Sequence, residues 1–321
     1  MNPNAYRLIE DDIAAMKALS QRTVADVSPG VEEIVRYSLQ FSGKCLRPAL
    51  LFLTGKIFGT LTEKHLLAAA AIEFVHTATL IHDDILDGAS LRRHLDTINV
   101  RWNAQVGVLA GDLLLSKSLE LMAKSADLYG IQRLTEACNL TCEGELRQMT
   151  AVGCFEMTME QYLQIIGGKT ASLLACSAEL GAYYSGAGTE TVEKFRLFGH
   201  KTGIAFQMID DILDLVGETK NAGKTLRTDL MNGKPTLPVI LYLQSVAEPQ
   251  RQTMLEMLRR EEVEPELIVR QLTLSGVVEE ARKRAQQEID EALALIADVE
   301  GDAEMKSAIK EIAFFVTKRN R

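Results

Sequence analysis

Two identical segments, Asp83-Asp84-Ile85-Leu86-Asp87 and Asp210-Asp211-Ile212-Leu213-Asp214, concentrate carboxylates at a spacing that could do chemistry. At about 100° per residue on a helix, the first and fifth aspartates of each segment share a face, and the second sits about a quarter-turn round. Each segment therefore presents a short acidic edge. Like charges so close are unfavourable in a buried setting unless a cation offsets them. Carboxylates placed this way suit Mg²⁺, which takes one or two of them and completes its octahedron with waters and phosphate oxygens. A diphosphate clamped between two acidic edges is the natural ligand. Both segments lie in apolar contexts, TLIHDDILD and AFQMIDDILDL, where a merely solvated charge cluster is out of place.

Cations cluster around these motifs. Arg92 and Arg93 follow the first by about one and a half helical turns and can bind phosphates bidentately. In SGKCLRPAL, Lys44 and Arg47 are three apart, where a helical start would project both to one side and add backbone N–H groups for an anion. The polar stretch 217–236, GETKNAGKTLRTDLMNGKPT, carries Lys220, Lys224, Arg227 and Lys234 and suits a mobile loop over an anionic ligand.

The elements that must position these groups read as helices. Only 7 prolines occur, and the 22 glycines fall mostly at breaks between stretches rich in Ala, Leu, Glu, Lys and Gln. Amphipathic spacing marks Val31, Ile34, Val35 and Leu39, then Leu115, Leu119 and Met122, and again Ile289, Leu293 and Ile296, while strand alternation is hard to find. Breaks fall at Ser28-Pro29-Gly30, Gly186 to Thr189, around Pro249 and at 217–236, none of them like an interdomain linker. The expectation is a single all-α domain over 1–321, a bundle of ten or more helices around a central cavity.

The 321 residues are 47% apolar, enough for a sizeable core, and a formal charge of −9 disfavours broad contact with nucleic acid or anionic membranes. An anionic substrate must therefore meet local cations or bound metal. Five cysteines, Cys45, Cys138, Cys142, Cys154 and Cys176, show no zinc spacing and read as reduced and cytoplasmic. The start, MNPNAYRLIEDD, has no signal-peptide pattern. The most apolar stretch, Leu66 to Ile85, is interrupted by Glu73, His76, His82 and two aspartates, and fits a core helix better than a membrane span.

With GKCLR at 43–47, HDDILDGASLRR at 82–93, GGKTASL at 167–173, FQMIDDILD at 206–214 and GKPTLP at 233–238, the chain resembles the trans-isoprenyl diphosphate synthases. The resemblance spans most of the chain in the right order. It implies an all-α fold of the isoprenoid synthase type, a homodimer, three Mg²⁺ ions with bound diphosphate, and condensation of isopentenyl diphosphate with an allylic diphosphate. Asp83, Asp87 and Asp210 would then be the leading magnesium ligands, with Asp84, Asp211 and Asp214 supporting. Arg92, Lys169, Lys224 and Lys234 would hold the allylic diphosphate, and Lys44, Arg47, His76 and Arg93 the isopentenyl diphosphate. Thr170 and Gln207 would line the reaction centre.

Two positions depart from the family pattern. His94 and Arg227 stand where glycine is common, which puts loop geometry in question, and Arg227 could add a phosphate contact. His82 reads as a packed core residue as readily as a holder of ligands, and His200 has no partner in the sequence.

In this family, residues four and five before the first aspartate motif set the floor of the chain pocket. Here they are Thr79 and Ala78, small enough to leave space. The next limiting positions lie a turn or two earlier, at Val75, Phe74, Ile72 and Ala71, where only Phe74 is bulky. GKPTLP and the closing TKRNR also resemble long-chain synthases of quinone side-chain synthesis. The expected product is octaprenyl, within a range from hexaprenyl to decaprenyl; the alternative is a geranylgeranyl or farnesyl product. A terpene cyclase or a noncatalytic subunit fits less well, because both motifs and the isopentenyl-site cations are intact. The product's hydrophobicity implies transient membrane contact on release.

Overall fold

A computed structural model describes residues 3–217, 227–260 and 263–318. The chain runs through α1 (Pro3–Arg7), α2 (Glu10–Ala25), α3 (Pro29–Ser38), α4 (Leu46–Phe58), α5 (Glu63–Leu86), α6 (Ile98–Arg101), α7 (Ala104–Lys124), α8 (Leu128–Thr150), α9 (Met159–Ile166), α10 (Ser172–Tyr184) and α11 (Thr189–Val216). It continues through α12 (Thr228–Met231), α13 (Leu237–Ser245), α14 (Glu248–Leu258), α15 (Pro265–Leu274), α16 (Val277–Leu295) and α17 (Ala303–Thr317). The fold is all-α, as the composition predicts. Among the described residues the exception is one antiparallel hairpin, β1 (Leu91–Arg92) with β2 (Leu95–Asp96).

Local chemistry explains the helix starts. Ser28 precedes α3 with Pro29 in its first turn, where a missing N–H costs nothing. Capping boxes open α5 at Thr62 and His65, and α9 at Thr158 and Gln161. The break expected around Pro249 is present: α13 ends at Ser245 and α14 begins at Glu248, with Pro249 in its first turn, where proline is tolerated. The predicted apolar spacing is partly realised. Val35, Met122, Ile289 and Ile296 are buried, whereas Leu119 is half-exposed.

The chain divides into two compact units, one formed by Met1–Cys138, Leu173–Gly199 and Ala294–Ile312, the other by Asn139–Ser172, His200–Leu293 and Ala313–Arg321. In the first, α5 is the central element and packs against α2, α4 and above all α7. Its residues Ala68 to Ile72, Phe74, Val75, Ala78 and Ile81 are at most 1% exposed. By length and hydropathy α5 could cross a membrane, but 72% of that window is buried in protein, as befits a core helix. Helix α7 comes this close because Gly107 and Gly111 face it. A Cβ at Gly107 would lie 2.7 Å from Ile85 Cδ1, and one at Gly111 would lie 2.2 Å from His82 Nε2. Those contacts fix the phase of α5: Ile81, His82 and Ile85 face α7. His82 is thus a packing residue, its Nε2 3.2 Å from the Val108 carbonyl oxygen.

Candidate active site

In the first unit, α5 ends at the first acidic motif. Asp87 is its C-cap and is exposed, Asp83 is half-buried, and Asp84 is 1% exposed. The buried carboxylate is matched by Arg92. Its Nε donates to both Asp84 oxygens at 2.9 and 2.7 Å, and its Nη2 donates to Oδ1 at 2.7 Å. Burial raises the Asp84 pKa, and these hydrogen bonds pull it back.

The arginine pair does not continue the helix, as its spacing suggested. It rides on the hairpin, in the register Leu91 with Asp96 and Arg92 with Leu95. Arg93 and His94 form the two-residue turn, with φ of 53° and 66°. Positive φ at both positions is the turn that matches strand twist, and it ordinarily selects Asn-Gly. His94 therefore occupies a left-handed position, which is the physical reason glycine suits it.

Lys44 and Arg47 also depart from a shared helical face. Cys45 is the N-cap of α4, in a left-handed conformation at φ 48°, so Lys44 lies before the helix and Arg47 in its first turn. The Tyr6 hydroxyl donates to the Lys44 carbonyl, pinning α1 to this loop. His76 lies on α5 and is kept neutral, first by burial and then by the charges of Arg47, Arg92 and Arg93. A groove of about 480 Å³ beside the hairpin, lined by Arg36, Tyr37, His94 and Arg101 among others, contains none of the predicted ligand-binding residues.

The second unit holds the second motif near the end of α11. Asp210 is half-buried, while Asp211 and Asp214 are 5% and 3% exposed. Asp211 accepts from Tyr162 Oη at 2.8 Å, Gln207 Nε2 at 3.1 Å and the Leu237 N–H at 3.2 Å. Its pKa is pushed up to about 7, chiefly by burial and secondly by Asp229, against those hydrogen bonds. The Leu237 contact also places a carboxylate at the N-terminus of α13, which is how GKPTLP connects to the motif. Asp214 accepts from Thr228 Oγ1 and the Asp229 N–H, each at 3.2 Å.

Lys169 and Thr170 lie in a π-helical turn, Gly167–Ala171. Gly144 on α8 leaves room for it; a Cβ there would stand 2.3 Å from the Lys169 nitrogen. Lys169 Nζ pairs with Glu145 at 2.5 Å and donates to Gln148 at 2.9 Å. Thr170 Oγ1 donates to Gln207 Oε1 at 2.7 Å, so Thr170, Gln207, Asp211 and Tyr162 form one hydrogen-bonded chain. Tyr162 and Glu145 are site neighbours that sequence reasoning missed, since each meets its partner far along the chain. Lys234 is half-buried in the turn before α13, its N–H donating to the Asp229 carbonyl. Lys220 and Lys224 lie outside the described residues. Arg227 has φ 63°, and its guanidinium pairs with Glu266.

Taken unit by unit, Asp83 and Asp87 in the first and Asp210 in the second offer hard carboxylate oxygens, the donor chemistry that Mg²⁺ takes.

The polyprenyl synthetase family model matches residues 28–273. The chain belongs to the polyprenyl synthetase family. Such a polyprenyl synthetase is a prenyltransferase, making prenyl diphosphates. The chain is 30% identical over 319 residues to the octaprenyl diphosphate synthase of Escherichia coli (strain K12), covering 98% of each. It is 35% identical over 245 residues to the geranylgeranyl diphosphate synthase of Saccharolobus solfataricus, covering 74% of this chain and 73% of the relative. A crystal structure of polyprenyl synthase from Caulobacter crescentus, complexed with calcium and isoprenyl diphosphate, superposes with a TM-score of 0.93 at 31% identity, covering 99% of this chain and 98% of that one.

Proposed function

We propose that this polyprenyl synthetase extends an allylic diphosphate with isopentenyl diphosphate to an all-trans long-chain product, octaprenyl within a range from hexaprenyl to decaprenyl, for a quinone side chain. The reading rests on one observation above the rest: in each DDILD motif the buried aspartates Asp84, Asp211 and Asp214 are hydrogen-bonded to protein groups, while Asp83 and Asp210 are half-buried and Asp87 is exposed to solvent.

Asp83, Asp87 and Asp210 would hold magnesium, which supplies charge for the departing diphosphate. Asp84, Asp211 and Asp214 brace them. Arg92 keeps Nη1 for the allylic diphosphate, joined by Lys169, Lys234 and Lys224. These cations stabilise the leaving group more than the intact substrate, which is where rate is gained. Lys44, Arg47 and Arg93 hold isopentenyl diphosphate, and neutral His76 donates a hydrogen bond. Thr170 and Gln207 border the allylic cation, which needs a dry wall so that the alkene rather than water attacks. The released diphosphate accepts the proton lost in forming the new double bond.

Of the two small residues before the first motif, Thr79 supports the long product, whereas Ala78 faces away from the Asp83 side. By the helical phase fixed by Gly107 and Gly111, Thr79 and Ile72 share the side of α5 that carries Asp83, while Phe74 and Ala78 turn toward α7. Phe74 therefore does not stand as a plug on the Asp83 side. A geranylgeranyl product is the second reading, favoured by the similarity to the archaeal synthase. We read residues 1–321 as one prenyltransferase domain, acting as a homodimer in the cytoplasm, where free cysteines stay reduced, with transient membrane contact for product release. Condensation of labelled isopentenyl diphosphate that requires magnesium and is abolished by Asp83→Ala and by Asp210→Ala tests the metal assignment; unaltered turnover in both would refute it.

A further inference from the structure

Glu73 is a buried carboxylate of the first unit. It lies on α5 and is 4% exposed, and no arginine or lysine hydrogen-bonds it directly. A buried carboxylate is expensive unless nearby charge offsets it. Its surroundings supply that charge. Arg47 from the start of α4, Arg93 from the hairpin turn and Lys17 from α2 all favour its ionised form, as does the Ser42 hydroxyl. The Cys45 thiol and the Tyr6 phenol complete the shell, and burial raises the pKa of each. On α5 itself, neutral His76 follows three residues on.

The arrangement is reciprocal. Arg93 is partly desolvated and repelled by Arg92, and the groups that sustain its charge are Glu73 and Cys45. Its guanidinium fills the space left by the missing side chain of Gly43: a Cβ there would stand 1.8 Å from Nη1 and 2.0 Å from Nη2. Arg93 is thus folded back over the Gly43 loop from a left-handed backbone, a pose that an anion beneath it would hold.

We infer that Glu73 is a positioning residue for the isopentenyl diphosphate site: its buried carboxylate draws the Arg47 and Arg93 guanidiniums toward one point and holds them there for the diphosphate. This rests on the reading of those arginines given above. Glu73 forms no hydrogen bond with either arginine, so it acts on them through charge and takes up none of their N–H donors itself. An anion so placed trades stability for function.

The test is a comparison of the parent with Glu73→Gln, Glu73→Asp and Gly43→Ala. In Glu73→Gln the KM and the calorimetric Kd for isopentenyl diphosphate rise about tenfold or more, kcat stays within about threefold and the allylic KM within about twofold. Its Tm equals or exceeds the parent's. Glu73→Asp recovers part of the affinity, and Gly43→Ala, which displaces only the flexible end of Arg93, shows the same selective loss. Unchanged or tighter isopentenyl diphosphate binding in Glu73→Gln would overturn the role of Glu73, as would both KM values rising together with a lower Tm. Failure of the parent to bind and condense isopentenyl diphosphate would overturn the site reading itself.

Discussion

Arg92 grips Asp84 with a fork of three hydrogen bonds of 2.7–2.9 Å, so one motif aspartate is spent on fixing an arginine rather than left open to ligand. The pair joins the last turn of α5 to the hairpin. Because Arg92 keeps 26% of its side chain exposed, breaking the pair costs about 1–3 kcal/mol rather than the larger penalty of a fully buried one. Arg92→Met should lower stability by that amount in urea denaturation and raise the allylic KM. Adding Asp84→Leu should restore most of the stability but not the KM, since the orphaned carboxylate is gone and the cation is still missing.

The left-handed positions give a second prediction. His94 and Arg227, at φ 66° and 63°, carry side chains where glycine is unstrained. His94→Gly should stabilise the protein by up to about 1 kcal/mol. Arg227→Gly should gain less, because it also loses the Glu266 pair, which is exposed enough to contribute only about 0–1 kcal/mol. Equal or lower urea midpoints in His94→Gly would contradict the strain argument.

These two residues also show what the sequence could and could not reveal. Both stood out as departures from a glycine pattern, but only the fold shows that each has positive φ. The helices were legible because long runs of strong helix formers separated by capping residues leave little alternative. The hairpin was not: Leu91 to Asp96 is six residues long and lacks the Asn-Gly signal, so its arginines read as helical. The division of each acidic motif into braced and accessible aspartates was only half legible. Helix phase sets Asp84 apart from Asp83 and Asp87, but Tyr162, which donates to Asp211 from 49 residues away, leaves no local trace. Glu73 was seen merely as an interruption in an apolar run.

Product length supplies the third prediction. Thr79→Phe, on the Asp83 side of α5, should shorten the product to farnesyl or geranylgeranyl. Phe74→Ala, on the side facing α7, should cost about 3–5 kcal/mol of stability as a core cavity and leave product length unchanged. A longer product from Phe74→Ala would place that ring in the corridor instead.

The fourth concerns pH. The folded pKa of His76 is depressed, so the unfolded chain takes up its proton near 6.5 while the folded chain does not. The stability this residue supports above that pH is lost as pH falls through it. Asp211 acts in the opposite sense: raised to about 7 when folded, it costs stability above its unfolded value near 3.8, and that cost is relieved as pH falls through about 7. The net slope mixes the two, so the informative quantity is a difference. Between pH 7.5 and 5.5, His76→Gln should lose less Tm than the parent, and identical slopes would remove His76 from the account.

The most direct test of the whole is to incubate the protein with farnesyl diphosphate, labelled isopentenyl diphosphate and magnesium and to size the hydrolysed products by chromatography. The account predicts a magnesium-dependent ladder that ends at octaprenyl, within the range from hexaprenyl to decaprenyl. Predominant stopping at farnesyl or geranylgeranyl would contradict it.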